Sequence, residues 1–344
     1  MGMSSGRAAL ALVALVLISG CGGATGSSTT PSGTGGPPAT GTGRLFTFPG
    51  ADVPTVTREL AGHPEQSFIN PGAILVDDAG TFHMFANAFT AWPGTVQFPH
   101  LTSTDGVTWT HATEATPLSS EAVPFAQPGA DVSSAFVTDD GTWTLVFNTV
   151  NLTSAWEIGR ATAPGPDGPW TIDPEPIVTA GATGAWDAGG VAWPSVVATD
   201  DGWAMYYSTG SRPRTPAGVI GMATSSDGVT WTKRSAPVLE ASAAWDGDAL
   251  DRPRVQRIDD AWLMVYTGRT LTDRGLAWSD DGTTWTPDPS NPVISADDFP
   301  IEARTWDTAL LWHDGVLRYY IELGGGAATT DIYLAVHQGP PPRP

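Results

Sequence analysis

The chain has 344 residues, of which 36 are acidic and 16 are Lys or Arg, for a formal charge of −20. That balance excludes nucleic acid and the anionic membrane surface as electrostatic partners, since both would be repelled, and it favours neutral or cationic ligands. Gly (40) and Pro (30) are abundant and runs of helix-forming Lys, Glu and Leu are absent, which predicts an all-β chain.

Residues 1–20 read as a secretory signal, with Arg7 in a short basic head and an apolar run from Ala8 to Leu17 that is too short to span a bilayer comfortably. The run ends Leu17-Ile18-Ser19-Gly20-Cys21, which resembles a bacterial lipobox with Cys21 as the lipidated residue. Cys21 is the one cysteine, so no intrachain disulfide can form. The expectation is an extracytoplasmic protein anchored by lipid to the bacterial cell membrane. Residues 21–43 hold the anchor and a charge-free Gly/Ser/Thr/Pro tether, with too little apolar surface to offset its ordering entropy. Residues 44–338 are left as one folded unit, and 339–344 form a Pro-rich tail.

Within that unit one stretch recurs. Ser103-Thr104-Asp105-Gly106-Val107-Thr108-Trp109-Thr110 returns at 225–232 and again at 279–286, with a looser copy, Gly165-Pro166-Asp167-Gly168-Pro169-Trp170-Thr171, between the first two. The tryptophans at 109, 170, 231 and 285 are 61, 61 and 54 residues apart, and a fixed step of strand-turn-strand units marks a repeat architecture. Asp-Gly suits a tight hairpin, and the alternation in Thr-Trp-Thr turns the indole to one face, where it packs between neighbouring sheets. Each unit offers an apolar strand, an aromatic strand, and a third strand running into the hairpin. The units begin near Pro71, Ser133, Val191, Arg252 and Thr308. Five units, the last without its outer strand, predict a five-bladed β-propeller of four-stranded antiparallel blades. Leu45–Phe48 or Val53–Val56 would close the last blade, leaving no free edge.

In such a ring, polar residues just ahead of each innermost strand converge on the axis. They include Asn70, Asp131, Asp187, Asp251, Glu302 and Asp307. Trp186-Asp187 and Trp245-Asp246 each stand eight residues before a proline, Pro194 and Pro253, while Trp306-Asp307 opens the fifth inner strand. The six histidines are scattered with no pair at ligand spacing, and there is no phosphate loop or nucleophile elbow.

The Ser-x-Asp-Gly-x-x-Trp hairpins and the Trp-Asp…Pro-x-Val stretches over residues 65–338 resemble the five-bladed glycosidases of families 43, 32 and 68, among them arabinanases, xylosidases, invertases and levansucrases. Sialidases also carry Asp hairpins, but with a residue between Asp and Gly and usually with six blades. The resemblance implies three axial carboxylates, which fall here on Asn70-Pro71, Trp193-Pro194 and Asp251-Arg252-Pro253, so that only Asp251 remains acidic. It implies a glycosidase acting on furanose- or pentose-containing glycans such as arabinan, with Asp251 as proton donor and Asp187 as base. Asn70, Asp131, Trp193, Arg252, Glu302 and Asp307 would hold the sugar. No cofactor is required, although some of the resembled enzymes carry an axial calcium. A monomer binding carbohydrate is expected. The alternative is a non-catalytic glycan-binding propeller descended from such enzymes.

Overall fold

The computed structural model describes residues 45–50, 53–152, 154–210, 218–301, 303–325 and 329–344. The signal, Cys21, the tether and Glu302 lie outside the described residues.

The repeated hairpins form as their sequence demands. Asp105 Oδ1 accepts the backbone N–H groups of Val107 and Thr108 at 2.7 Å, and Ser103 Oγ accepts the N–H of Gly106 at 2.9 Å. Asp227 and Asp281 make the same set in their copies. Gly106, Gly228 and Gly282 sit at φ of 69–70°, the left-handed region open to glycine. Backbone N–H donors hold the Asp227 carboxyl down at about 2. The loose copy behaves differently. Gly165 replaces the serine and Pro169 has no N–H, and Asp167 Oδ1 instead accepts from His100 Nδ1 in the neighbouring sheet at 3.0 Å. Burial and the neighbouring His83 lower the pKa of His100 to about 4.

These hairpins cap five antiparallel sheets. The first holds β1 (Phe68–Val76), β2 (Phe82–Phe89), β3 (Val96–Gln97), β4 (His100–Ser103) and β5 (Thr110–His111). The second holds β6 (Pro128–Val137), β7 (Trp143–Asn151), β8 (Ile158–Ala163) and β9 (Thr171–Ile172). The third runs β10 (Val191–Thr199), β11 (Gly202–Thr209), β12 (Ile220–Ser225) and β13 (Thr232–Lys233). The fourth runs β14 (Asp251–Ile258), β15 (Ala261–Thr267), β16 (Arg274–Ser279) and β17 (Thr286–Pro287). The fifth holds β18 (Ala303–Arg304), β19 (Thr308–His313), β20 (Val316–Gly325) and β21 (Asp331–Gln338). Strands β1, β6, β10, β14 and β19 touch one another round the ring, so they are innermost, and the molecule is a five-bladed β-propeller.

The ring closes through the N-terminal segment, and both stretches expected to do so take part. Thr47 and Val336 exchange backbone hydrogen bonds of 2.9 and 2.8 Å, and Ile332 N–H donates to Val56 at 2.9 Å. Blade joints are apolar, with hairpin tryptophans inside them. Trp109 of the first blade packs with Ala309, Leu311 and Tyr320 of the fifth, whose Tyr320 hydroxyl donates to Gly106 O at 2.6 Å. Trp285 and Tyr206 repeat the arrangement between the fourth and third blades. Trp109→Ala should therefore lower stability by about 3–5 kcal/mol, the usual cost of emptying a buried aromatic site. Urea unfolding monitored by circular dichroism measures it, and a shift under 1 kcal/mol would place the indole outside the joint's energetics.

Candidate active site

The inner strands carry the site, and four of the five are bent at their start. One extra residue bulges between Asn70 and Ala73, Val132 and Ser134, Ala192 and Ser195, and Asp251 and Arg254. Bulges re-aim side chains, here toward the axis. Gly72 takes φ 55° in the first, where a Cβ would lie 2.1 Å from Phe85 O. Trp193 and Arg252 take φ of 49° and 48° in the third and fourth, although neither is glycine and each precedes a proline. Such strain persists only where the surroundings hold it, and it clusters at binding and catalytic sites.

What holds it is a set of second-strand polar residues, of which those in the first three blades reach the next blade. Asn87 donates to Val132 O and accepts from Val132 N–H at 2.8 and 2.9 Å. Asn148 Oδ1 accepts from Trp193 N–H at 3.3 Å, and Ser208 Oγ accepts from Arg252 N–H at 2.8 Å. Glu322 occupies the corresponding place in the fifth blade, taking Thr330 Oγ1–H at 2.9 Å and Asp307 N–H at 3.2 Å. These groups are buried, and the bonds satisfy all of them but Asn148, whose Nδ2 has no partner among the described residues.

Inside the ring, at the N-terminal ends of the inner strands, lies a pit of about 240 Å³. Asn70, Asp131, Arg252, Asp307 and Glu322 supply its polar wall. Phe68, Phe89 and Trp193 supply aromatic wall, and Trp92 and Trp306, 38% and 46% exposed, stand at its mouth. Arg252 lies flat on Trp193, its guanidinium carbon 4.0 Å from the ring centroid. A larger cavity of about 780 Å³ opens at the opposite ends of the inner strands, where Ile74, Val196 and Leu310 share the lining with Ser133, Ser195, Arg254 and Gln256. The deeply buried carboxyls gather in the smaller pit.

The carboxyls of the pit are not equivalent. Asp307 forms a buried ion pair with Arg254 at 2.6 Å, and Arg254 is further fixed by Thr308 O and Pro253 O. Asp131 is 4% exposed, and burial, reinforced by the Asp307 and Glu322 charges, raises its pKa well above the usual carboxylate range. Burial pushes Glu322 up to about 8, against the Thr330 hydrogen bond. One side chain is thus an ion-paired carboxylate, while burial disfavours the ionisation of the two others. Asp131 Oδ1, Asp307 Oδ2 and Arg252 Nε are buried with no hydrogen-bond partner among the described residues.

Of the residues expected at the axis, Asn70, Asp131, Trp193, Arg252 and Asp307 meet in the pit. Asp251 stands at their level, paired with Thr267 across the sheet, but its carboxylate accepts Arg252 N–H at 2.9 Å and Arg252 Nη1–H at 2.7 Å and forms no part of the pit wall. Asp187 is elsewhere. Its carboxylate is bound by Lys233 on β13, the outermost strand of the third blade, at 2.5 Å. The Trp-Asp dipeptide there is a clasp: Trp186 lies over Gly221 of β12, where a Cβ would come within 2.6 Å of the indole. Trp245 does the same over Gly275, and Asp246 caps the N–H groups of Ser242 and Ala243. Glu322 was missed, because an acid within Tyr319-Tyr320-Ile321-Glu322-Leu323 reads as a strand position. Its signal was charge inside an otherwise apolar aromatic run. Among the described residues no group of three His, Cys, Asp or Glu is placed to hold a metal.

Comparison with known proteins agrees with this architecture. A family model described as beta-1,4-mannooligosaccharide phosphorylase matches residues 194–286, in the third and fourth blades. No curated protein matches the chain. Among solved structures, a thermostable family-43 glycoside hydrolase superposes with a TM-score of 0.60 at 15% identity, over 80% of this chain and 95% of its own. A GH43_1 enzyme from Xanthomonas citri complexed with xylose gives 0.61 at 16% identity, covering 83% and 89%. An alpha-L-arabinofuranosidase from Lactobacillus brevis gives 0.59 at 11%, covering 79% and 91%. In fold, the chain is a five-bladed propeller of the kind these glycoside hydrolases share.

Proposed function

We propose that the pit cleaves glycosidic bonds, with Asp131 as proton donor and Asp307 as the carboxylate that activates water or attacks the sugar. The carrying observation is that one pit holds an ion-paired carboxylate beside carboxyls whose ionisation burial disfavours. Glycoside cleavage needs such a divided pair, because the leaving oxygen must receive a proton while the opposite face meets a base or nucleophile. This reading moves the donor from Asp251, whose oxygens are taken up by Arg252, and the base from Asp187, which Lys233 holds at the blade's outer edge. Glu322 sets the charge of the pit and orients Asp307 through its N–H. The aromatic wall stacks the sugar, and Asn70 stays a hydrogen-bonding residue, since an amide can be neither base nor nucleophile.

A furanose- or pentose-containing substrate, secretion, and a lipid anchor on Cys21 extend the proposal and rest on the sequence reading alone. The test is a screen of arabinans, xylans, fructans, mannooligosaccharides and aryl glycosides, each with and without inorganic phosphate, with Asp131→Asn and Asp251→Asn beside the native chain. Cleavage lost in the first variant and kept in the second supports the reading. Binding without cleavage on every substrate would favour the glycan-binding alternative.

A further inference from the structure

Arg252 is a charged residue built into the pit wall with half of its hydrogen-bonding capacity uncommitted. A guanidinium offers two edges that match a planar oxyanion, the pair of terminal nitrogens and the side formed by Nε with one of them. Asp251 Oδ2 occupies Nη1, and Asp251 Oδ1 together with Ser208 Oγ takes the backbone N–H. Trp193 covers one face of the plane. Nε is buried without a partner, Nη2 makes no hydrogen bond among the described residues, and the residue as a whole is 8% exposed. Holding the side chain there requires a left-handed backbone at a non-glycine residue before a proline. Arg254, two residues onward, by contrast has all three guanidinium nitrogens engaged, by Thr308 O, Pro253 O and Asp307.

We infer that the Nε–Nη2 edge of Arg252 receives the carboxylate of an acidic sugar unit seated in the pit. The inference rests on the reading of the pit as a glycan site and specifies its substrate class. The unit in the pit is then a uronic acid and not a pentose, although a pentose-containing glycan can carry such a unit. The overall charge of −20 does not oppose this locally: Arg252 and Asp251 offset each other, as do Arg254 and Asp307. Burial disfavours the charged forms of Asp131 and Glu322, so they oppose a carboxylate less than free acids would.

The test is calorimetric titration of the intact protein at about pH 6 and constant ionic strength. Methyl glucuronide and methyl galacturonide are compared with the methyl glycosides of the matching neutral hexoses and with inorganic phosphate. A charge-assisted pair should make a uronide bind roughly tenfold more tightly than its hexose. Arg252→Lys, which loses the fork but keeps the charge, should remove that ratio, uronide binding falling further than hexose binding. Uronide binding should also weaken as pH rises through about 8, where Glu322 ionises, and hexose binding should not. Equal affinity for uronide and hexose overturns the inference, and so does binding of phosphate without binding of either uronide. Should Arg252→Lys fail to fold, the native ratio decides alone, and a ratio near one is fatal. Cleavage of neutral glycans without uronide preference overturns this inference and spares glycan cleavage. Uronide binding with no cleavage of any substrate does the reverse.

Discussion

Asp131→Asn should reduce turnover by roughly 10²–10⁴-fold, the range supplied by a positioned general acid, while the protein melts as the native chain does or slightly higher. The two halves of that result have one cause. Asp131 is buried beside Asp307 and Glu322, which raises its folded carboxyl well above the usual carboxylate range and disfavours its ionisation. An amide has the shape of a neutral acid and no proton to give, which removes the chemistry and keeps the packing. The pH dependence has a definite sign. A carboxyl whose folded pKa is raised contributes stability that is present below its unfolded value and lost as pH rises through the folded one. Asp131→Asn should accordingly gain on the native protein as pH climbs above the ordinary carboxylate range. Glu322 adds a parallel loss in the native chain between about 4.5 and about 8. Melting scans from pH 4 to 9 and steady-state rates check both halves. A variant with native turnover would remove Asp131 from the reaction, and one that melts far lower would mean that Asp131 is ionised in the fold. Asp251→Asn is the control: it releases Arg252 Nη1 and should act mainly on KM.

The fold was legible because its signals are local and repeated. A hairpin that needs Asp to collect two N–H groups, Gly at positive φ and Trp on the buried face can be read from eight residues, and three intact copies state the period. Closure by the N-terminal segment followed from the missing outer strand of the fifth unit. The site was legible only where chain position fixes direction. Asn70, Asp131, Trp193, Arg252 and Asp307 each sit at the start of an inner strand, and that position alone carries them to the pit. Asp187 shares the Trp-Asp dipeptide with Asp307 and has a different fate. Six residues separate Asp187 from Pro194, room enough for the pair to fold over the third strand of the blade, whereas Asp307 runs straight into Thr308. The distinction lies in spacing to the strand and not in the dipeptide. Glu322 was hidden for another reason. On a second strand both faces are buried, so side-chain alternation does not tell a residue that packs from one that meets the axis. The strain at Trp193 and Arg252 was equally unreadable, because residues before proline ordinarily avoid helical and left-handed conformations and nothing local announces an exception.

Asp307→Ala should cost about 3–5 kcal/mol of stability, because it strands a buried cation. Arg254 and Asp307 are both nearly inaccessible, and their 2.6 Å contact is the one carboxylate bond the guanidinium makes. Its remaining hydrogen bonds go to the carbonyls of Thr308 and Pro253, which satisfy donors and leave the charge uncompensated. Asp307 also accepts its neighbour Thr308 N–H at 2.7 Å and gives its own N–H to Glu322, so the start of the fifth inner strand is organised around it. Removing both charges should hurt less than removing one. In Asp307→Ala combined with Arg254→Met, the cation is replaced by a flexible apolar side chain of related length, and much of the lost stability should return. Denaturant unfolding of the two single variants and the double gives a cycle whose coupling energy reports the pair directly. A double variant as unstable as the sum of the singles would show that the residues act separately, and the ion-paired state on which Asp307 depends as base or nucleophile would lose its support. Restored stability without restored activity is the expected outcome, since the cycle repairs the fold and leaves the pit with no carboxylate to meet the sugar.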